Sequence, residues 1–236
     1  MGASESKKEQ VRVMFNNIAG KYDFLNHFLS AGIDHLWRKR LVKLVMKTNP
    51  AFILDVATGT ADLAIELSSK TASPIIGVDI AQAMLDVGQK KLLRKGLDKQ
   101  IKLQLADSEL LPFPSAHFNA AMVAFGVRNF EDLDKGLNEM NRVLQSGGMI
   151  AVLEFSRPSA FPIKQLYNFY FKNILPTMGR LVSKDQSAYT YLPESVNAFP
   201  DGEDFLNHLR NNGFQNVKQE RLTFGIATIY TGFKVN

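Results

Sequence analysis

The chain has 236 residues, 45% of them hydrophobic, with a formal charge of +5. That length and apolar share fit one α/β domain with additions and exclude a disordered polypeptide. There is no cysteine, which excludes disulfides, thiolate metal sites and a cysteine nucleophile.

Met1 to about Glu9 is small and charged and reads as a frayed start. From Val11 to Met46, apolar residues at Met14, Ile18, Leu36, Leu41, Leu44 and Val45 predict helix, ended by Pro50. Phe52–Val56 predicts a strand, followed by a turn of tiny residues and a helix beginning near Asp62. Ile75–Asp79 is a second strand ending on an acid. A helix is expected over Ala81–Lys95, burying Met84, Leu85, Leu92 and Leu93. Ile101–Ala106 alternates as a third strand and delivers Asp107 and Ser108 to its end. Phe118–Phe125 is a nearly continuous apolar run, as central parallel strands tend to be. A helix over Glu131–Leu144 follows, with Gly147-Gly148 suited to its C-terminus, then a fifth strand over Met149–Phe155. About forty aromatic-rich residues from Pro158 to Phe199 precede a helix over Gly202–Asn212. Val217–Leu222, Gly225 and Ile226–Phe233 predict an antiparallel hairpin. No repeat or linker divides the chain.

The basic residues fall in pairs (Lys7-Lys8, Lys39-Arg40, Lys90-Lys91, Arg94-Lys95). Such pairs suit solvated helix faces and would also suit an anionic membrane surface. No run reaches transmembrane length and no secretory pattern begins the sequence, so a cytoplasmic protein, with peripheral membrane contact as an option, is expected.

Strand, small-residue turn, helix, strand and terminal carboxylate make the ligand corner of an open parallel sheet. The turn lets a ligand approach backbone, and Asp79 can hold two ribose hydroxyls, so a nucleoside is expected there. The turn Asp55-Val56-Ala57-Thr58-Gly59-Thr60 lacks the three spaced glycines of a dinucleotide site. Its leading acid disfavours a pyrophosphate and suits a cationic ligand. This stretch resembles the first motif of the Rossmann-like S-adenosylmethionine (SAM) methyltransferases.

Two further segments sharpen the resemblance. One is Tyr22-Asp23-Phe24-Leu25-Asn26, continuing through Leu29-Ser30 to Asp34-His35-Leu36-Trp37. The other is Arg142-Val143-Leu144, Gly147-Gly148 and Leu153-Glu154-Phe155-Ser156. With Leu110-Leu111-Pro112-Phe113 and Phe125-Gly126-Val127-Arg128-Asn129, they resemble the C-methyltransferases of ubiquinone and menaquinone biosynthesis over nearly the whole chain. Leu25, Ala124 and Gln145-Ser146 depart from the family pattern. The resemblance implies a seven-stranded class I SAM-dependent fold with N-terminal helices and a helical lid insertion. One methyltransferase domain over 1–236 is expected, with an N-terminal substrate-side segment (1–48), a SAM-binding core (49–157), a lid insertion (158–200) and a C-terminal helix and hairpin (201–236).

By the same resemblance, Thr60 contacts the cofactor's methionine portion, Gly59 gives backbone room, and Asp79 accepts from the ribose. Asp107 and Ser108 flank the adenine, unless they are a simple turn after the strand. Asp55 either anchors the cofactor's ammonium or caps the turn as a buried acid. The implied substrate is a polyprenylated hydroquinone, either demethylmenaquinol or the ubiquinone precursor, with the Gly59-Thr60-Ala61-Asp62 turn favouring the former. Carbon methylation needs a base and groups that steady a phenolate, and no metal. Arg128 is expected to stabilise phenolate charge, or else to pin its loop by a salt bridge, and Asn129 to orient a hydroxyl. Tyr22, Asp23, His35, Tyr189 and Tyr191 are candidate proton carriers or lid contacts, His35 being the near-neutral base if it is not simply structural. The insertion's Phe161, Ile163, Leu166, Tyr167, Phe169, Tyr170, Phe171, Ile174 and Leu175 would suit a groove for a prenyl chain, or a helix packed on the core. The missing glycine pattern disfavours an NAD-dependent oxidoreductase. The absence of an Asn-Pro-Pro-aromatic motif after the fourth strand disfavours a nucleic-acid methyltransferase. A non-catalytic SAM-binding partner of a quinone-synthesis assembly is the third alternative.

Overall fold

The computed structural model describes residues 6–24, 30, 32–170, 173 and 187–235. Leu25, Asn26 and Leu29 of the first signature, Phe171, Ile174 and Leu175 of the insertion, and the Tyr189 side chain lie outside the described part. The strands are β1 (Ile53–Val56), β2 (Ile75–Asp79), β3 (Ile101–Leu105), β4 (Phe118–Ala124), β5 (Leu144–Phe155), β6 (Phe214–Leu222) and β7 (Ala227–Lys234). They form one seven-stranded sheet in the order β3-β2-β1-β4-β5-β7-β6. β1 to β5 run parallel, while β7 is antiparallel to both of its neighbours. The direction of winding reverses between β1 and β4, and such a switch point opens a crevice at the carboxyl ends of the strands.

Apolar runs build the centre: β1 is buried at every residue, and β4 at Phe118 and from Ala120 to Val123. Helices α1 (Lys7–Ile18), α2 (Asp34–Val45), α3 (Asp62–Ser68), α4 (Gln82–Lys95) and α5 (Leu133–Val143) belong to the N-terminal two thirds. Helices α6 (Ile163–Phe169) and α7 (Ser187–Ala198) lie in the insertion, and α8 (Glu203–Asn211) precedes β6. One core cluster contains Phe118, Phe205, Phe214 and Tyr230. A second contains Trp37, Leu41, Leu67 and Ile229. Among the described residues no helix is long and apolar enough to cross a membrane.

The structure departs from the sequence reading in three places. The start is helical from Lys7, capped by Ser6, whose hydroxyl accepts from the Glu9 N–H at 3.3 Å. Val11, Met14 and Ile18 bury that helix. Second, α5 stops at Val143, because buried Leu144 is already extended and paired with Phe118. Gly147-Gly148 instead lies in an irregular step of β5 before pairing resumes at Met149, with Gly147 at φ +73°. Third, Leu93 stands 59% exposed on α4 rather than buried.

Candidate active site

A cleft opens at the carboxyl ends of β1, β2, β3 and β4, where open parallel sheets bind their ligands. Its walls bring together Tyr22, Gly59, Asp79, Asp107, Ser108 and Asn129. The backbone around it is tightly bent. Ala57, Gly59 and Ala61 all have positive φ (52°, 56° and 67°), as does Phe125 at the end of β4 (59°). Left-handed conformations of non-glycine residues cost about 1–3 kcal/mol each and persist where surrounding contacts over-determine them. Here Thr58 N–H donates to the Val78 carbonyl at 2.9 Å, and Phe125 N–H to the Leu153 carbonyl at 2.8 Å. Gly126 lets the β4 loop approach the turn, since a Cβ there would lie 2.6 Å from that of Ala57.

Asp79 closes β2 and lines the cleft. Its Oδ2 accepts from the Gly59 N–H at 2.8 Å and its Oδ1 from the Ala81 N–H at 2.9 Å. Each carboxylate oxygen retains acceptor capacity after one such bond. Burial raises its carboxyl above the ordinary range, and those amides pull it back. At the end of β3, Asp107 Oδ1 accepts from the Glu109 N–H at 2.9 Å. Its Oδ2 pairs with Lys8 at 2.7 Å. Ser108 is buried at the cleft wall. Ile80, Met84 and Ala106 supply apolar surface between these polar groups. A bidentate acceptor at one strand end, an apolar slot and a polar turn at the next fit the adenosine of SAM.

Asp55 lies beneath the turn, 1% exposed, outside the cleft lining. Its Oδ2 accepts from the Thr58 hydroxyl at 2.6 Å. Burial pushes its carboxyl up to about 7, the nearby Asp79 charge adds to that, and the Thr58 bond opposes it. Thr60 is buried and also outside the lining. Its hydroxyl donates to Asp23, while Lys91 Nζ donates to it at 3.0 Å and to Asp23 at 2.8 Å. Lys91 also pairs with Asp62. This cluster ties the first signature to the turn.

On the other side, Asn129 lines the cleft and its Oδ1 accepts from the Tyr191 hydroxyl at 3.0 Å. Arg128 does not line it. Its Nη1 donates to Glu154 Oε1 at 2.7 Å and to the Phe125 carbonyl at 2.5 Å. Tyr22 packs edge-on to Phe15 with centroids 5.8 Å apart. His35 is exposed on the first turn of α2, away from the lining, with Nδ1 3.5 Å from Arg38.

Sequence reasoning missed α1 as a wall. Lys8, Val11 and Phe15 all line the cleft, and Lys7 donates to the Phe130 carbonyl at 2.6 Å. The signal was present: Ser6 followed three residues later by Glu9 is the capping pattern of a helix start.

The sequence matches the ubiE/COQ5 methyltransferase family over residues 3–234. A Bacteroides fragilis protein named demethylmenaquinone methyltransferase is 49% identical, covering 97% of this chain and 94% of its own. A Geotalea daltonii protein named ubiquinone/menaquinone biosynthesis C-methyltransferase UbiE is 44% identical, covering 97% of both. Among solved structures, a SAM-dependent methyltransferase of Thermotoga maritima, titled a possible histamine N-methyltransferase, superposes with a TM-score of 0.67 at 17% identity. That match covers 94% of this chain and 99% of the other. The matched family spans both the cofactor corner and the Arg128–Glu154 edge, and the chain belongs to it: this is a SAM-dependent methyltransferase of the ubiE/COQ5 family.

Proposed function

We propose that this enzyme transfers the methyl group of SAM to a ring carbon of demethylmenaquinol, giving menaquinol. One observation carries the reading: a single cleft joins the nucleoside corner at Asp79 and Ser108 to Asn129 at the end of β4. The name of the Bacteroides fragilis relative supports this acceptor.

Bound SAM supplies an electrophilic methyl on its sulfonium. Asp79 holds the ribose, Asp107 and Ser108 flank the adenine, and Gly59 leaves room for the chain between them. Asp55 and Thr60 act from behind, keeping the turn in its strained shape. Asn129, with its Oδ1 engaged by Tyr191, offers its amide N–H groups to a quinol oxygen. Arg128 steadies negative charge on that oxygen as its phenol proton passes to water. The methyl moves to the ring carbon while the sulfur keeps the bonding pair and leaves as S-adenosylhomocysteine. The ring C–H proton then goes to water, or back to the phenolate oxygen, to restore the aromatic quinol. Alignment of methyl and carbon in a dry cleft supplies much of the acceleration. Tyr22 covers the cofactor beside Gly59.

The insertion is assigned the prenyl tail. Tyr167 is buried, whereas Phe161, Leu166 and Phe169 stand exposed, an apolar surface suited to a lipid chain or the membrane that holds it. Equal turnover of tail-free and long-tailed quinols would overturn that assignment.

The decisive test incubates the enzyme with methyl-labelled SAM and reduced demethylmenaquinone. Carbon-bound label in menaquinone by mass spectrometry is expected. No transfer despite SAM binding would overturn the acceptor. The 44% identity to a relative named for both quinones favours the ubiquinone-precursor benzoquinol as a second acceptor, and competition between the two quinols measures the preference.

A further inference from the structure

We propose that Glu154 is a positioning residue for methyl transfer, fixing the Arg128 guanidinium so that its remaining donors meet the quinol oxygen. This rests on the charge-steadying role given to Arg128 above. The Leu153-Glu154-Phe155-Ser156 run stands out in the sequence without an assigned chemistry, and the structure supplies one.

Glu154 sits on β5 beside the end of β4 and is 0% exposed. Its carboxylate is held by backbone: Oε1 accepts from the Phe155 N–H at 2.8 Å, and Oε2 receives the Arg128 N–H at 3.4 Å. It is fully buried, against 7% exposure for the Arg128 side chain, and its Oε1 is already taken by Arg128 and the Phe155 amide, so it is not placed to take a substrate proton. What it does hold is the guanidinium, by the 2.7 Å bond to Nη1. Nη1 is completed by the Phe125 carbonyl, and Nε donates to the Ser195 hydroxyl at 3.3 Å. The Phe155 ring lies under the guanidinium, 5.6 Å from centroid to Cζ. Among the described residues Nη2 has no hydrogen-bond partner, which leaves two N–H donors for a ligand.

A desolvated ion pair is a weak way to gain stability, because replacing both partners by apolar groups is often neutral. It is an effective way to stop a long side chain from moving. An arginine with several free rotors would present its charge to the quinol only part of the time. Pinned at Nε and Nη1, it has one orientation, and its neighbour Asn129 already faces the cleft.

The test uses the full chain with SAM and reduced demethylmenaquinone. Glu154→Gln, Arg128→Gln and the double variant are compared in kcat, its pH profile, quinol KM and SAM affinity. We expect Glu154→Gln to lower kcat at least tenfold while quinol KM and SAM affinity stay within twofold. The rising limb of kcat should move to higher pH, since a displaced guanidinium no longer favours the phenolate. The double variant should be no slower than Arg128→Gln. A kcat within twofold of the parent would overturn the proposal. So would a limb moved to lower pH, the sign expected if the carboxylate acted only through its own charge. A double variant slower than Arg128→Gln by the full Glu154→Gln factor would overturn it as well. If Glu154→Gln alone does not fold, the double variant, which removes both charges, decides by the same comparison with Arg128→Gln. Arg128→Gln with parental activity would sink the arginine reading itself. A slow Arg128→Gln with a fast Glu154→Gln would sink only the role of Glu154.

Discussion

The two halves of the cleft hold their charged groups by different means. On the β2 side, Asp79 is fixed by the backbone amides of Gly59 and Ala81, which cannot leave without unfolding the turn. On the β4–β5 side, Arg128 meets one backbone group, the Phe125 carbonyl, and is otherwise fixed by the side chains of Glu154 and Ser195, with Asn129 fixed by that of Tyr191. Those partners come from β5 and from α7 in the insertion. A carboxylate caged by amides is set by local chain geometry, whereas a cation caged by side chains depends on how distant segments pack. The nucleoside half is therefore built to be constant, and the acceptor half to respond to the insertion.

The largest effect should come from breaking the acceptor half. Arg128→Gln is expected to lower kcat about 10²–10³-fold, the usual loss for one charge-stabilising donor, while SAM affinity by calorimetry stays within twofold. Parental kcat would erase the distinction between the halves. Asp79→Ala should strike the other half, weakening SAM binding by about 1.5–3 kcal/mol, the worth of hydrogen bonds to a charged acceptor. Unchanged affinity would remove Asp79 from the site.

Asp55 sharpens the comparison through pH. Burial lifts its carboxyl to about 7, well above the usual value near 3.9 in an unfolded chain. The folded state then binds the extra proton, so this group's contribution is fully present below about pH 4 and is lost as pH rises through about 7. Asp55→Asn should flatten that fall, raising the melting temperature more at pH 8 than at pH 5. Equal shifts at both values would show that the carboxyl is not perturbed. The smallest effect is expected at Lys8, 31% exposed in its pair with Asp107. Lys8→Ala should cost up to about 1 kcal/mol in urea unfolding, as surface pairs do. A loss above about 2 kcal/mol would mean that this pair, rather than buried Val11 and Met14, holds α1 in place.

Much of the nucleoside half was legible because its signals are local. An apolar run ending on Asp79 and a turn of small residues are readable within thirty positions, and the observed turn has that form. The acceptor half was legible only as motifs. Arg128 and Asn129 were given roles, but Glu154, 26 positions away from Arg128, stood in a signature run with no chemistry assigned to it. The long-range pairing of β4 with β5 brings them together. The first turn of α1 was lost because polar residues outnumber apolar ones there, and its role as a wall was lost because that depends on the cleft it covers.

The sequence by itself determined the alternation of strands and helices, the ligand corner at β1 and β2, and the family. Period, turn chemistry and strand-end acids act over a few residues and need no tertiary context. Only the tertiary structure decided that Asp55 and Thr60 sit behind the turn, that Arg128 is pinned by Glu154, and that α1 walls the cleft. These are choices among partners far apart in the chain. Which of them a side chain meets is fixed by packing, where desolvation leaves each buried charge needing a counter-charge or amides close at hand.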